Sequence, residues 1–330
     1  MISNKLNYVL IFVLAGLIFS ACDERWEEMN NDPGQLEELP DGYLFTSAVR
    51  GAFRDGLNDM QLNFGAQYAH ISIADKFNRE IDKYSATHAR GDVYEGLFKS
   101  IYNGSIRLTN EVLQITSEGK FANPVRHAQA TTIAVVNFAK LTDLYGDIPY
   151  FEAGMGKYGV LKPKYDRQED IYADMVAKLK NCLDILKAAS VSEAYPAEFD
   201  PLYGGDLDNW IRFTNSLRFR LAMRARFADP LKYEAIIAET LNEPLIEENN
   251  QSATLEHWDS NDGALYNPWF NKIIDYDKGN LNMLWSEKFI NWLKSTNDPR
   301  LPLISTKNNN NEYLGVCRTF NNSESKKMGF

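Results

Sequence analysis

Apolar residues recur every three or four positions through most of this chain, which is the spacing of one helical face. Asn123-Pro124 places a side-chain acceptor and a φ-fixed residue where a helix begins. The run that follows, His127 to Tyr145, is apolar on nearly every side and predicts a buried helix. Few segments alternate between apolar and polar residues as strands do, so the pattern predicts a mostly α protein.

Earlier helices are predicted at 43–60, 64–77 and 93–117. Together with the later helices they give antiparallel hairpins joined by loops of unequal length, which is repeated architecture without a strict sequence repeat. We place this helical scaffold at about 36–245. Glycine, asparagine and aspartate then become frequent, so a loop-rich region is expected at about 246–330.

The later helices carry recognisable start signals. Asp166, followed three residues later by Glu169, has the spacing of a capping box. Asp208 can cap the next helix, and Asp229-Pro230 starts another. The helix after Asp166 buries a stripe that makes Cys182 a core residue: Ile171, Met175, Leu179, Cys182 and Leu186.

The N-terminus has the composition of an export signal. Lys5 precedes the apolar segment Tyr8 to Phe19, which is too short to span a bilayer as a helix, and Ser20-Ala21-Cys22 follows. Small residues directly before a cysteine are typical of bacterial lipoproteins, in which that cysteine is acylated. We therefore expect residues 1–21 to be removed and Cys22 to carry the lipid. The alternative is an ordinary secretory signal with an incidental Cys22.

Charge and motifs exclude several functions. The 330-residue chain has a formal net charge of −10, which opposes binding to phosphate backbones, so nucleic acid is not an expected partner. The spacing of Cys182 and Cys317 suggests no metal site, and the four histidines are scattered, with His127 expected in the core. The Gly154–Gly159 string matches a dinucleotide fingerprint, but no strand pattern precedes it and Pro163 interrupts the helix that should follow. No catalytic residue, metal or cofactor is assigned.

Several segments in consistent order resemble the SusD/RagB family of outer-membrane nutrient-binding lipoproteins of Bacteroidetes. The likeness covers residues 22 to about 301. The segments that carry it are Cys22-Asp23 to Asn31-Asp32-Pro33, Phe138 to Tyr150 (FAKLTDLYGDIPY), Tyr165 to Tyr172, Asp200 to Asp206 (DPLYGGD), Trp210 with Phe213, Ser216 to Arg224, and Asn297 to Leu301 (NDPRL).

The resemblance implies a single domain, 22–330, of tetratricopeptide-like helix pairs forming a right-handed superhelix with long loop-rich insertions. It implies a lipid-anchored outer-membrane protein facing the cell exterior, and the acidic Asp23 and Glu24 are similar to surface-export signals of that phylum. Such proteins are non-catalytic and deliver a glycan, or sometimes a peptide, to a TonB-dependent (SusC-like) transporter barrel. Family members usually run longer, so the chain is expected to lack the C-terminal part.

Glycan binding needs flat aromatic faces bordered by hydrogen-bonding side chains. The region after residue 250 offers Trp258, Tyr266, Trp269 and Tyr276 as ligand-binding candidates, although these rings could instead fill the core between loops. A second set of candidates, which could equally be plain surface, is Asn78, Arg79 and Tyr84. Trp285 and Trp292 are seven residues apart on a predicted helix, and we expect both in the core.

Two other functions stay open. A membrane-anchored α-helical glycoside hydrolase would share this composition, and 45 acidic residues could supply the carboxylate pair that it needs. A helical-repeat module that binds only proteins would also fit. The enzyme would release products from a polysaccharide, whereas the nutrient-binding protein would bind without turnover and the interaction module would do neither.

Overall fold

A computed structural model describes residues 40–54, 65–74, 91–256 and 283–316. Within these ranges the protein is mostly helical, which confirms the predicted fold class. A single helical turn lies at Ala66–Tyr68, and Tyr102–Ile106 is a π-helical turn. The helices and strands are α1 Asp41–Arg54, β1 Ser72–Ala74, α2 Gly91–Ile101, α3 Arg107–Ser117, α4 Pro124–Tyr145, α5 Gln168–Ala188, α6 Leu207–Ala225, α7 Pro230–Thr240, β2 Met283–Trp285, α8 Glu287–Ser295 and α9 Leu301–Ile304.

Helices that follow one another in the chain pack against one another. α3 packs on α4, α4 on α5, α5 on α6, and α6 on α7, while α1 covers α3. This succession is the helix-pair architecture that the sequence predicted. Among the described residues, no helix combines the length and the apolar character that a membrane span requires.

The helix α4 lies at the centre of the core, as its apolar composition predicted. Val135, Phe138 and Leu141 belong to a cluster shared with α5, whereas Val125 and Ile133 belong to a second cluster that includes Trp210. Trp210 and Ile133 are both fully buried. Burial on several sides explains why α4 has no polar face of appreciable width.

The ends of α4 form as predicted. The Asn123 carboxamide oxygen accepts hydrogen bonds from the amides of Val125 (2.9 Å) and Arg126 (3.1 Å), so Asn123 is the N-cap. Gly146 ends the helix with φ 73°, a conformation that favours glycine, and its amide donates to Thr142 O. Asp229 likewise caps α7 by accepting from the Lys232 amide.

Two predicted caps are wrong because the carboxylates have other partners. α5 begins after Arg167, and Asp166 Oδ2 instead accepts from the amides of Tyr150 and Phe151, both at 2.9 Å. α6 is capped by Asp206, not by Asp208, because Asp206 Oδ1 accepts from the amides of Asp208 and Asn209.

Of the segment predicted as a helix at 64–77, the structure describes residues 65–74, and only 65–68 of these are helical. After the turn Ala66–Tyr68 the chain extends, and β1 pairs antiparallel with β2, with Ser72 opposite Trp285 and Ala74 opposite Met283. Pairing with a distant segment overrides the local preference here. The predicted helix 93–117 is present as α2 and α3, with the π turn between them. The predicted helix 43–60 begins earlier, at Asp41, and is described as far as Arg54.

Candidate functional site

A cleft of about 560 Å³ opens beside α3 and α4 and is covered by the segment 150–157. After α4 ends, Ile148 and Asp166 form a two-way backbone bridge, and residues of the segment between them line the cleft. Asn110 on α3 then donates through Nδ2 to the Ala153 carbonyl at 2.9 Å, which holds the segment against the helix. The next residue, Gly154, has φ 73°, and a Cβ there would lie 2.1 Å from Asn110 Nδ2.

One wall of the cleft is aromatic. The rings of Phe138 and Tyr150 meet edge to face with centroids 4.7 Å apart, and Tyr150 meets Phe151 in the same way at 4.9 Å. Phe138 and Tyr150 are buried, whereas the Phe151 ring is 51% exposed. Met155 adds an exposed thioether to the cleft lining. The cleft therefore presents apolar surface from which a bound ligand would displace water.

A hydrogen-bonded triad orients the Tyr150 ring. Tyr150 Oη donates to Asp174 Oδ2 at 2.6 Å, and Lys178 Nζ lies 2.7 Å from the same carboxylate oxygen and 3.2 Å from Tyr150 Oη. Lys178 Nζ also lies 4.8 Å from the centroid of the Tyr150 ring. Burial, reinforced by the hydrogen bond to Asp174, raises the pKa of the Tyr150 phenol, so Tyr150 remains a neutral donor.

His127 contributes a hydrogen-bond acceptor to the lining. Its Nδ1 lies 3.1 Å from the Leu113 carbonyl oxygen and 3.1 Å from Thr116 Oγ1, and that hydroxyl donates to Val112 O. Because a carbonyl oxygen only accepts, the geometry places the imidazole proton on Nδ1 and leaves Nε2 as the acceptor. Burial lowers the pKa of His127, with a nearby Lys178 charge acting in the same direction, so the neutral form is favoured.

The remaining lining is polar and mixed in charge. Asn110 and Gln114 contribute amides, and Glu111 lies 3.7 Å from Lys157 across the opening. Amide, imidazole and ammonium groups beside an aromatic wall can hydrogen-bond ligand hydroxyls while a ring stacks on Phe151. Within the described residues no group of three or more His, Cys, Asp or Glu side chains is arranged to hold a metal ion.

The eight residues predicted as site or lipidation residues lie outside the described part of the chain, so their placement stays a prediction: Cys22, Asn78, Arg79, Tyr84, Trp258, Tyr266, Trp269 and Tyr276. The expectation that Trp285 and Trp292 lie in the core is wrong. Their side chains are 37% and 51% exposed, because Ile290 and Leu293 fill the buried face of α8 instead. His127, expected in the core, is half-buried in the cleft wall.

The cleft residues Tyr150, Phe151 and Lys178 are not among the site residues predicted from the sequence. The signal that could have found the first two is the glycine that ends α4 at Gly146, because the aromatic pair follows directly after the turn it starts. Gly154 to Gly159 was not assigned to dinucleotide binding, and the structure agrees. Gly154 and Gly159 flank a single 3₁₀ turn, Met155–Tyr158, in place of the strand, turn and helix that a dinucleotide site requires.

Comparison with protein families gives one decisive match. The model of the SusD-like family described as "Starch-binding associating with outer membrane" matches residues 33–328. The chain belongs to the SusD-like family. The match covers the SusD-like helical scaffold, the cleft and the strand and helices after residue 283. No curated protein matches the sequence.

Solved structures support the SusD-like fold. A chitin-binding protein superposes with a TM-score of 0.66 at 24% identity, over 82% of this chain and 55% of its own. A SusD homologue from Bacteroides uniformis gives 0.66 at 23% identity, over 89% and 61%. A SusD/RagB family protein from Bacteroides thetaiotaomicron gives 0.65 at 21% identity, over 80% and 53%. The chain thus spans between half and about three fifths of the length of these structures.

Proposed function

We propose that this SusD-like protein is a non-catalytic lipoprotein of the outer membrane that binds a glycan at the cell surface. The observation that carries the proposal is the family match over residues 33–328, a family described as starch-binding and associated with the outer membrane. A structural relative of similar fold is a chitin-binding protein. The common chemistry of starch and chitin is a chain of pyranose rings whose C–H faces stack on aromatic side chains.

The cleft supplies side chains that suit such a ligand. Phe151 offers an exposed ring, His127 contributes Nε2 as an acceptor, and Asn110 and Gln114 add amide groups to the same lining. Several modest contacts are appropriate for a protein that must release its ligand after capture, because each stacking contact is worth only about 1 kcal/mol. The cleft is therefore our candidate for one glycan subsite.

The proposal also covers how the protein is attached to the membrane and where it delivers its ligand. We propose that Cys22 carries the lipid, that the protein faces the cell exterior, and that it passes its ligand to a TonB-dependent, SusC-like transporter barrel. Support for the anchor comes from the small residues before Cys22 and the acidic pair after it. A peptide ligand is the alternative cargo and would enter the same cleft through the same polar groups.

The direct test is sedimentation of the full chain, extracted in detergent, with insoluble polysaccharides such as starch and chitin. We expect the protein in the pellet with at least one polysaccharide and no soluble sugar in the supernatant. Released sugar would replace the proposal with the anchored glycosidase. Absence from every pellet, for a protein shown to be helical by circular dichroism, would contradict glycan binding.

A second experiment addresses attachment. In a bacterium that processes lipoproteins, metabolic labelling with a fatty acid should mark the wild-type chain and not Cys22→Ser. Cys182→Ser is the matched control, because the Cys182 thiol is buried in the core and burial raises its pKa to about 12, which makes it unreactive. Label on Cys22→Ser would contradict the proposed anchor.

A further inference from the structure

Three aromatic rings line one side of the segment that joins β2 to α8. Trp285 ends β2, and Phe289 and Trp292 follow on α8, where their spacing of three residues makes them neighbours on the helix. The Trp285 and Phe289 centroids are 5.4 Å apart, and the Phe289 and Trp292 centroids are 6.4 Å apart with planes only 13° from parallel. We call these three rings the aromatic platform.

The core of this region does not need the two tryptophans. Ile290 and Leu293 of α8 are buried almost completely in a cluster with Leu301, and Phe289 packs partly against the same cluster. The Trp285 side chain is 37% exposed and the Trp292 side chain 51% exposed. Removing apolar rings of this size from water is favourable in free energy. A ligand that covers the two exposed tryptophans would therefore gain binding free energy from their burial.

Hydrogen bonds anchor the Trp285 end of the platform. Trp285 Nε1 donates to the Ile304 carbonyl oxygen at 2.8 Å, which fixes the orientation of the indole. Ser286 Oγ caps α8 by accepting from the Phe289 amide at 3.1 Å, and the same hydroxyl donates to His70 O. The backbone around Trp285 is paired on both sides, with Ser72 in β1 and with Val316. Ordering the Trp285 indole therefore costs little further entropy when a ligand binds.

Polar groups border the rings at the same face. Lys288 is exposed and lies four residues before Trp292 on α8, the spacing at which two helical side chains are neighbours. Thr296 is also exposed one turn beyond Trp292, and its hydroxyl donates to the Trp292 carbonyl, which leaves its oxygen able to accept. A line of apolar faces with donors and acceptors along its border matches a polyhydroxylated chain better than an apolar protein surface.

From these observations we infer that the aromatic platform is a second glycan subsite, on which Trp285, Phe289 and Trp292 stack against successive pyranose rings of one polysaccharide chain. The inference rests on the proposed function and extends it to a surface with a separate set of residues from the cleft. Two modest subsites on one protein raise the affinity for a polymer, which can occupy both, more than for a short oligosaccharide.

The test compares variants of the full chain in detergent by affinity electrophoresis in gels containing a polysaccharide that retards the wild type. Trp292→Ala should bind about five-fold more weakly, the change that corresponds to about 1 kcal/mol, and Trp292→Phe should keep most of the affinity. Phe227→Ala is the matched control, because Phe227 is 81% exposed beyond the end of α6 and outside the platform. It should be retarded like the wild type.

Each outcome has one meaning. If no polysaccharide retards the wild type, the proposed function fails and the inference fails with it. If the wild type is retarded and Trp292→Ala is retarded equally, the inference is overturned while the proposed function stands. Unchanged retardation together with lost capture of a transporter barrel would make the platform a protein-contact surface, which also overturns the inference.

A second measurement needs no variant and covers the case in which Trp292→Ala does not fold. The wild-type chain is oxidised with N-bromosuccinimide, with and without the polysaccharide, and tryptophan-containing peptides are quantified by mass spectrometry. We expect the polysaccharide to protect Trp285 and Trp292, while the fully buried Trp210 is unreactive in both samples. Equal oxidation of Trp292 in the two samples would overturn the inference.

Discussion

The indole Nε1 of Trp210 donates a hydrogen bond of 2.7 Å to Asp200 Oδ2 in the protein interior, where Trp210 is fully buried and Asp200 is 2% exposed. The same carboxylate accepts from three backbone amides, those of Leu202, Tyr203 and Gly205. Asp200 thus organises the loop Asp200 to Asp206 that leads into α6, and it satisfies the indole N–H of the buried Trp210.

We expect Asp200→Ala to lower the free energy of unfolding by at least about 3 kcal/mol, because buried donors left without an acceptor cost about 1–3 kcal/mol each. Urea denaturation followed by circular dichroism measures the change. Asp170→Ala, which removes an exposed carboxylate from the first turn of α5, is the control and should shift the midpoint little. A similar stability for the two variants would show that Asp200 does not hold the loop.

The cap of α6 gives a second prediction. Asp206→Ala should lower the free energy of unfolding by about 1 kcal/mol, because the amides of Asp208 and Asn209 lose their acceptor. Asp208→Ala should lower the free energy of unfolding by only about 0.3 kcal/mol, since its carboxylate interacts with the helix dipole and does not cap the helix. The same denaturation experiment ranks the two variants. A larger loss of stability in Asp208→Ala than in Asp206→Ala would show that Asp208 is the cap, as the sequence predicted.

His127 predicts a specific pH dependence. Its pKa in the folded state lies below the ordinary value of 6.5, chiefly through burial. Above pH 7 the His127 imidazole is largely neutral in both the folded and the unfolded protein, so it adds little pH dependence to the free energy of unfolding. As the pH falls through 6.5 the unfolded state binds the proton first, so the free energy of unfolding decreases.

His127→Gln has no proton to bind, so its unfolding free energy should fall less than that of the wild type between pH 7.5 and pH 5. Urea denaturation at the two pH values measures the difference, and the other titrating groups cancel because both proteins carry them. A larger decrease in His127→Gln would contradict the neutral imidazole in the cleft wall.

The cleft itself is tested by Phe151→Ala, which removes the exposed ring and leaves Tyr150 and its partners Asp174 and Lys178 in place. We expect retention by a bound polysaccharide to weaken about five-fold, the equivalent of about 1 kcal/mol. Leu161→Ala is the matched control, since Leu161 is 83% exposed and outside the cleft lining. Equal weakening by both variants would exclude a specific role for Phe151.

Features set by neighbouring residues could be predicted from the sequence. Asn123 caps α4 and Gly146 ends it, because each acts on backbone within a few residues of itself. Asp166 was misassigned for the opposite reason. Its carboxylate accepts from Tyr150 and Phe151, 16 and 15 residues earlier, and no local pattern reports that partner.

The site was harder to predict because it depends on where distant segments meet. Asn110 on α3 and Ala153, 43 residues later, both line the cleft and are joined by a hydrogen bond to the Ala153 carbonyl. Likewise, the seven-residue spacing of Trp285 and Trp292 predicted one buried helical face, but Trp285 ends β2 and lies before α8 begins. Ile290 and Leu293 occupy the core side of α8, which leaves the tryptophans in solvent.

The central claim is that the protein binds a glycan without cleaving it. Affinity electrophoresis of the full chain against a panel of polysaccharides, with product analysis of the same mixtures by chromatography, tests both halves together. We predict retardation by at least one polysaccharide and no new oligosaccharide after prolonged incubation. Retardation accompanied by products, or no retardation of a folded protein by any member of the panel, would contradict the account.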